Sequence, residues 1–195
     1  MLVVNPTVAA NNVKELIALA KAKPGTLAYA SSGTGGLQHL AGVLLESMSG
    51  TKFTHAPYKG GAPAINDVVS GTMHMSFNSY ILSAPHMKAN RVRALAVTTS
   101  KRAAVLPNVP TMAETLPGYN AANWYGFLAP AKTPAPIVDK LYKSMTAALQ
   151  DKEVREKLMA EDCEIVASTP QAFTAHLKAE IAKWNKLIKD NRIKL

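Results

Sequence analysis

Residues 27–50 read LAYASSGTGGLQHLAGVLLESMSG and carry, in this order, the patterns of a short strand, a glycine-rich loop and a helix. The apolar run at 27–30 leads into Ser-Ser-Gly-Thr-Gly-Gly, and apolar residues then recur at helical spacing between Leu37 and Met48. A loop of this kind before a helix N-terminus commonly holds an anion. It has neither the Gly-Lys-Ser/Thr ending of a phosphate loop nor the Gly-x-Gly-x-x-Gly spacing of a dinucleotide-binding loop, so the nature of the anion stays open.

The same alternation extends over the N-terminal half of the chain. Further strands are predicted at 53–56, 72–77 and 92–99. Further helices are predicted between the cap at Asn11-Asn12 and the stop at Pro24-Gly25, from Ala62 onward and over 81–89. The run at 92–99 is apolar, as expected of a strand that is covered on both faces of a parallel sheet. Strands that alternate with helices predict an α/β fold.

The composition changes at the proline-rich joint AKTPAP, residues 131–136. The segment before it, 119–130, is predicted to be a last extended run. Beyond it, helices are predicted at 136–149, at 152–161 and from 169 to about 191. One buried stripe is predicted on the last helix, from the spacing of Phe173, Leu177, Ile181, Trp184 and Ile188.

The charge balance argues against nucleic acid as a partner. The chain has 195 residues, with 22 Lys and Arg against 13 Asp and Glu, for a net charge of +9. The excess lies mainly in the C-terminal helices, where it is mixed with acidic residues on what should be solvated faces. No basic run alternates with aromatic residues, as single-strand binding would require.

The sequence also predicts no membrane span, no metal centre and no cofactor. No window approaches eighteen apolar residues, and the first residues lack the basic start and apolar core of a signal peptide, so none is expected in this chain. Cys163 is the one cysteine, which excludes an internal disulfide, and it is expected to be a small buried residue near a strand. The five histidines are not spaced as metal ligands.

Three predicted strand ends are small and polar: 31–36, 58–61 and 78–80. Ligands of open α/β sheets bind at the carboxyl ends of the strands, and adjacent parallel strands would place all three ends on one rim. Helix N-termini, close backbone approach at glycines and the hydroxyls of Ser31, Ser32 and Thr34 suit a carboxylate.

Each of these features has a purely structural alternative. The glycine loop could be a tight turn, His39 a packed residue or cap partner, Lys59 a solvated side chain and Asn78 a turn residue. Catalysis is not predicted, because the sequence has no Gly-x-Ser-x-Gly elbow, no Cys–His nucleophile and no carboxylate pair at a strand end. Asp67 and Glu46 are expected within helices, away from the rim.

Several stretches resemble one known family in its own order. They include LVVNPTVAANNVKELIALAKAKPGTLAYASSGTGGLQHLAG at 2–42, APYKGGAPAINDVVSGTMHMSF at 56–77 and WYGFLAPAKTPAPIVDKL at 124–141. The sequence resembles the Bug (TctC-like) solute-binding receptors of tripartite tricarboxylate transport systems, over essentially the whole chain. The resemblance implies a periplasmic receptor that is not an enzyme. It binds a small carboxylate without a cofactor and serves the membrane subunits of a transporter.

The resemblance also implies a two-domain, periplasmic-binding-protein type II-like fold. Residues 1–124 would form one near-complete Rossmann-like, ligand-binding domain, and 125–195 the C-terminal helices of the other domain, whose N-terminal portion has no counterpart here. In the family the loops that match 31–39 and 58–62 line the ligand, and the position of Asn78, often Asp, lies near it. The candidate ligand-binding residues are therefore Ser31, Ser32, Gly33, Thr34, Gly35, Gly36, His39, Tyr58, Lys59, Gly60, Gly61, Ala62 and Asn78.

The shortness of the chain relative to the family leads to a further expectation. The last helix would expose its apolar stripe, so the chain should dimerise, swap a segment between copies or bind its ligand weakly. Two other functions stay open: a cytosolic ligand-sensing domain of the same fold, and an enzyme that acts on an acid. A DNA-binding segment upstream would favour the former, and turnover that depends on His39 or Lys59 the latter.

Overall fold

The computed structural model describes residues 1–161 and 163–194, which separate into two compact units. The first unit comprises Met1–Ala122 and Lys186–Leu195, and the second comprises Asn123–Asn185. The strands are β1 (Leu2–Val4), β2 (Ala28–Ser31), β3 (Thr54–Pro57), β4 (Met75–Phe77) and β5 (Arg93–Ala96). The helices are α1 (Val13–Ala22), α2 (Leu37–Ser49), α3 (Gly61–Ser70), α4 (Tyr80–Lys88), α5 (Ala135–Ala148), α6 (Lys152–Ala160) and α7 (Pro170–Asp190).

The first unit is built on one mixed sheet with the strand order β3-β2-β4-β1-β5. β2 pairs in parallel with β3 and with β4, whereas β1 runs antiparallel to both β4 and β5. The carboxyl ends of β2, β3 and β4 therefore meet at one edge of the sheet, as the alternation of strands and helices predicted.

Two features of this sheet differ from the prediction. β1 was not predicted, because three apolar residues without a turn signal are too short a pattern, yet it lies inside the sheet between β4 and β5. The expectation that 92–99 is a strand of a covered parallel sheet was wrong. Only Arg93–Ala96 forms β5, which lies at the edge and pairs antiparallel with β1.

Helices cover both faces of the sheet. Ala64, Ile65 and Val68 of α3 pack in one apolar cluster with Val3 and Ala30 of the sheet. The opposite face carries Tyr29 of β2, which lies directly beneath α2. A Cβ atom at Gly42 of α2 would stand 2.5 Å from the Tyr29 ring, so glycine is required for this close approach. The helix ends follow their sequence signals: Asn12 accepts the Glu15 N–H at the start of α1, and Gly50 ends α2 in the left-handed region.

The second unit contains α5, α6 and most of α7, and little of it is buried. None of the residues of α5 or α6 is buried. The predicted buried stripe on α7 was wrong: Ile181 is 52% exposed, and Phe173, Leu177, Trp184 and Ile188 are only partly buried. Too few elements pack against this helix within the unit to cover the stripe.

The predicted extended run at 119–130 has no regular structure and forms no ladder with the sheet, although Ala121 N–H donates to Thr98 O at 2.9 Å just beyond β5. The prediction for Cys163 was wrong. Cys163 is partly buried rather than buried, and the described residues that follow it, 163–169, have no regular structure. Among the helices of the described residues, none combines the length and the apolar character that a membrane span needs.

Candidate ligand-binding site

The three predicted loops lie side by side at the edge where β2, β3 and β4 end, and this edge, residues 31–36, 58–62 and 78–79, is called the rim below. Backbone hydrogen bonds join the first two loops: Tyr58 N–H donates to Ser31 O at 2.9 Å and Gly60 N–H donates to Ser32 O at 3.2 Å. The third is joined by a side chain, since Asn78 Nδ2 donates to Gly61 O at 3.0 Å. The rim is thus one connected structure.

The glycine-rich loop turns around the side chain of Ser31. Gly33 N–H donates to Ser31 Oγ at 3.2 Å, and the same oxygen lies 2.7 Å from His55 Nε2. Gly33 and Gly35 have φ angles of 141° and 78°, which L-residues rarely adopt, so the sequence needs glycine there. Ser31 is fully buried with its hydroxyl engaged, which leaves partly buried Ser32 and exposed Thr34 as the hydroxyls that a ligand could reach.

Two stacked histidines support the loop from below. Gly35 N–H donates to His39 Nδ1 at 3.0 Å, and the rings of His39 and His55 lie 4.0 Å apart and nearly parallel. Burial lowers the pKa of His39, and burial together with repulsion from His39 lowers the pKa of His55 to about 4, so both rings are neutral at neutral pH. His39 thus has the geometry of a cap partner, one of the two roles its sequence position left open.

The Ser31–His55 contact contains the atoms of a nucleophile and its base, but a substrate cannot reach them. Ser31 is completely shielded from solvent, so no substrate carbonyl can approach its oxygen. His55 was missed by sequence reasoning, because its role depends on the pairing of Tyr29 with His55 between β2 and β3. The contact therefore explains the shape of the loop rather than a reaction.

Two helices begin at the rim without side-chain caps. α2 follows Gly36 and α3 follows Gly60, neither N-cap makes a side-chain hydrogen bond, and neither helix has an acidic residue in its first turn. By contrast, Ser79 Oγ accepts the Leu82 N–H at the start of α4, at 3.5 Å. The backbone N–H groups and the positive dipole ends of α2 and α3 make this part of the rim favourable for an anion.

Asn78 connects the end of β4 to the starts of both helices. Besides its bond to Gly61, it accepts the Ser79 N–H at 3.0 Å and a bond from Gln38 Nε2 at 3.3 Å, both at Oδ1. Asn78 is buried, so its role exceeds that of a turn residue. Gln38, near the start of α2, was missed by sequence reasoning because a polar residue in a helix gives no sign of a partner forty residues away.

The remaining candidates are more exposed. Tyr58 donates its hydroxyl hydrogen to Asp67 Oδ2 at 2.5 Å, and this bond raises the pKa of Tyr58 to about 12. Asp67 lies inside α3, as expected, and the long Tyr58 side chain extends from the rim to reach its carboxylate. Lys59 and Ala62 are exposed. Within 1–161 and 163–194, no three His, Cys, Asp or Glu side chains cluster as metal ligands do.

Comparison with known sequences yields one family. A family model described as tripartite tricarboxylate transporter family receptor (TctC) matches residues 1–193. Protein BugT of Bordetella pertussis is 32% identical over 196 residues, which cover 100% of this chain and 60% of BugT. The chain spans about half the length of other curated relatives that it matches, 55% and 52% of two of them.

Solved structures agree with this result. The structure of R. palustris Rpa4515 with adipate matches with a TM-score of 0.85 at 36% identity, over 99% of this chain and 65% of Rpa4515. MatC (Rpa3494) from Rhodopseudomonas palustris with bound malate matches with a TM-score of 0.80 at 26% identity, over 96% of this chain and 65% of MatC. These matches confirm the predicted α/β fold of the periplasmic-binding-protein type.

Proposed function

The chain belongs to the tripartite tricarboxylate transporter receptor family, as its sequence resemblance predicted, and we propose that it binds a carboxylate-containing small molecule at the rim. The candidate contacts are the backbone N–H groups at the starts of α2 and α3, with the accessible hydroxyls of Ser32 and Thr34. Buried Ser31, His39 and Asn78 would hold these groups in place.

The observation that carries the proposal is the pair of uncapped helix N-termini on one rim. A helix N-terminus stabilises an anion by about 0.3–1 kcal/mol, and by up to about 2 kcal/mol when partly buried. Each charge-assisted hydrogen bond contributes about 1.5–3 kcal/mol. About four such bonds near the upper end of this range, reduced by an association cost of about 4 kcal/mol, reach the value of about 8 kcal/mol that micromolar binding requires.

The ligands of the structural relatives define the first acids to test. Adipate and malate, which Rpa4515 and MatC hold, are both dicarboxylates. A dicarboxylate could place one carboxylate at the rim while the other reaches groups beyond it. The identity of this chain's own acid is part of the proposal, because the chain spans only about two thirds of those structures.

The partners, location and domain division follow from the same proposal. A receptor of this family would act in the periplasm and present its acid to the membrane subunits of a tripartite transporter. Residues 1–124 would form the ligand-binding α/β domain, which is the second domain of the family, and 125–195 would be the C-terminal helices of its first domain. Neither a metal ion nor a cofactor is required for binding through backbone N–H groups and hydroxyls.

Thermal unfolding against a panel of acids tests the proposal. Adipate, malate, succinate, citrate, glutamate, nicotinate and benzoate are compared with adipamide, which has the length of adipate but no charge. An acid that binds the folded chain stabilises it by about 2.7 kcal/mol at a hundredfold excess over its Kd, and adipamide should give no shift. Equal shifts with adipate and adipamide, or no shift with any acid, would contradict the proposal. Quantitative recovery of the unchanged acid would distinguish binding from turnover.

A further inference from the structure

The side-chain amide of Gln38 has an orientation that its neighbours determine. Asn78 Oδ1 accepts the Ser79 N–H and Asn78 Nδ2 donates to Gly61 O, so neither end of the Asn78 amide can be exchanged. The Gln38 atom 3.3 Å from Asn78 Oδ1 must then be the nitrogen, because an oxygen there would place two acceptors against each other. Gln38 Oε1 therefore points away from Asn78.

Gln38 Oε1 is buried and has no hydrogen-bond donor. A buried acceptor without a donor is unfavourable, and native proteins leave few of them. The bond that holds the amide in this position is also weak, since 3.3 Å exceeds the usual N–H···O distance of about 2.9–3.0 Å. A small rotation of the side chain would release it from Asn78.

We propose that Gln38 determines which acids the rim accepts, by turning its amide from Asn78 to the ligand and recognising a hydroxyl group next to a carboxylate. The inference rests on the proposed carboxylate binding. A carboxylate has no hydrogen to donate and cannot satisfy Oε1, whereas a hydroxyl can. Nε2 then donates to a carboxylate oxygen, so the two ends of the amide match the two groups of an α-hydroxy acid. The substrate class is thus an α-hydroxycarboxylate.

The proposal predicts a hydroxyl preference that depends on Gln38. Malate and succinate differ by one hydroxyl, and calorimetric titration of the chain should give a Kd about tenfold lower for malate. In Gln38→Met, which keeps the length of the side chain but not its hydrogen bonds, the two Kd values should agree to within about twofold. Succinate binding itself should change little.

Two further variants serve as controls for Gln38→Met. Gln38→Ala removes the amide and places a good helix former there, so the ratio of its malate and succinate Kd values can be measured if methionine perturbs the loop. Ser47→Ala, on the exposed part of the same helix, should keep the preference of the unmodified chain.

The outcomes separate the two proposals. Equal affinity for malate and succinate in the unmodified chain, or a preference that survives both Gln38 variants, overturns the role of Gln38 and leaves carboxylate binding intact. If neither these acids nor any other acid binds, carboxylate binding is overturned, and the role of Gln38 with it.

Discussion

The stacked rings of His39 and His55 make the stability of the first unit depend on pH. Both rings have folded pKa values below the ordinary value of 6.5, that of His55 being about 4. As the pH falls, the two histidines bind protons more readily in the unfolded chain than in the folded one. Their contribution to the free energy of unfolding is therefore fully present above about pH 6.5 and is lost as the pH falls toward 4. Tyr29 stacks on His55, and the charge of the Glu46 carboxyl, whose own pKa burial raises, acts on Tyr29.

His55→Gln should reduce this loss of stability. The amide stays neutral and can keep a polar atom near Ser31 Oγ. The variant should therefore lose about 1 kcal/mol less than the unmodified chain between pH 7 and 5, a value discounted for solvent screening of the ring. Urea unfolding of the variant and of the unmodified chain at several pH values measures the difference in their free energies of unfolding. Glu46, whose raised pKa acts in the opposite direction, is present in both proteins, so its contribution cancels. His86→Gln, outside the stack, should keep the original slope, and identical slopes for His55→Gln and the unmodified chain would contradict the role of the stack.

At the level of single residues, the sequence predicted positions better than roles. The loops at 31–36 and 58–61 were predicted because glycine, serine and helix-start patterns are local. Gln38, His55 and the bond between Tyr58 and Asp67 were missed, because each of them depends on a partner on another element. Such partners depend on the order of strands in the sheet, which periodicity does not encode.

The start of α3 offers a test of the rim as an element. A Cβ atom at Gly61 would lie 2.9 Å from Asn78 Oδ1 and 3.2 Å from Gln38 Nε2, so Gly61→Ala must displace these side chains. Asn78 is buried and both ends of its amide are held by hydrogen bonds, so moving it should lower the melting temperature even though alanine favours the helix. The affinity for the acid should fall at least about tenfold as well, because Asn78 no longer holds the start of α3 against the end of β4.

A matched variant on the same helix controls for the helix itself. Asn66→Ala, exposed farther along α3, should leave both the affinity and the melting temperature close to their original values. If Gly61→Ala binds the acid as tightly as the unmodified chain, the start of α3 is not part of the binding surface.

Elements were predictable where their signals were local. β2, α2, β3 and α3 follow from apolar runs, glycines and proline in a helix first turn. The pairing of β1 was not predictable, because Val3 pairs with Ser76 of β4, which lies more than seventy residues farther along the chain. The prediction that 92–99 belongs to a covered parallel sheet was wrong, because an apolar run is equally compatible with an antiparallel edge strand.

For the molecule as a whole, the family was predicted from the resemblance of several sequence stretches, because hydrophobic periodicity alone indicates only an α/β fold. The family assignment is confirmed over residues 1–193, while the second unit leaves many of its large apolar side chains exposed. The chain spans about two thirds of the solved relatives, and α5 and α6 bury none of their residues. The segment that follows the first unit shows this most clearly: Tyr125, Phe127 and Leu128 are 84%, 82% and 73% exposed.

This exposed segment should drive self-association of the isolated chain. Trp124 and Gly126 pack against Phe173 of α7, whereas Tyr125 and Phe127 project into solvent, so the segment presents an apolar face that a second copy can cover. Burial is worth about 1.5–3 kcal/mol for each large side chain, against an association cost of at least about 4 kcal/mol, which favours a weak dimer. Sedimentation velocity over a range of concentrations should show a monomer–dimer equilibrium.

Replacing Tyr125, Phe127 and Leu128 together by serine should move this equilibrium to the monomer, because the change removes the apolar face and leaves the contacts of Trp124 and Gly126 with Phe173 in place. Val166→Ser is the control, since Val166 is 74% exposed but lies outside this segment, and it should not change the dimer. A monomer at every concentration that also binds an acid with micromolar affinity would contradict the prediction. It would show that the exposed face needs no covering for the rim to function, and that the first unit holds the binding geometry by itself.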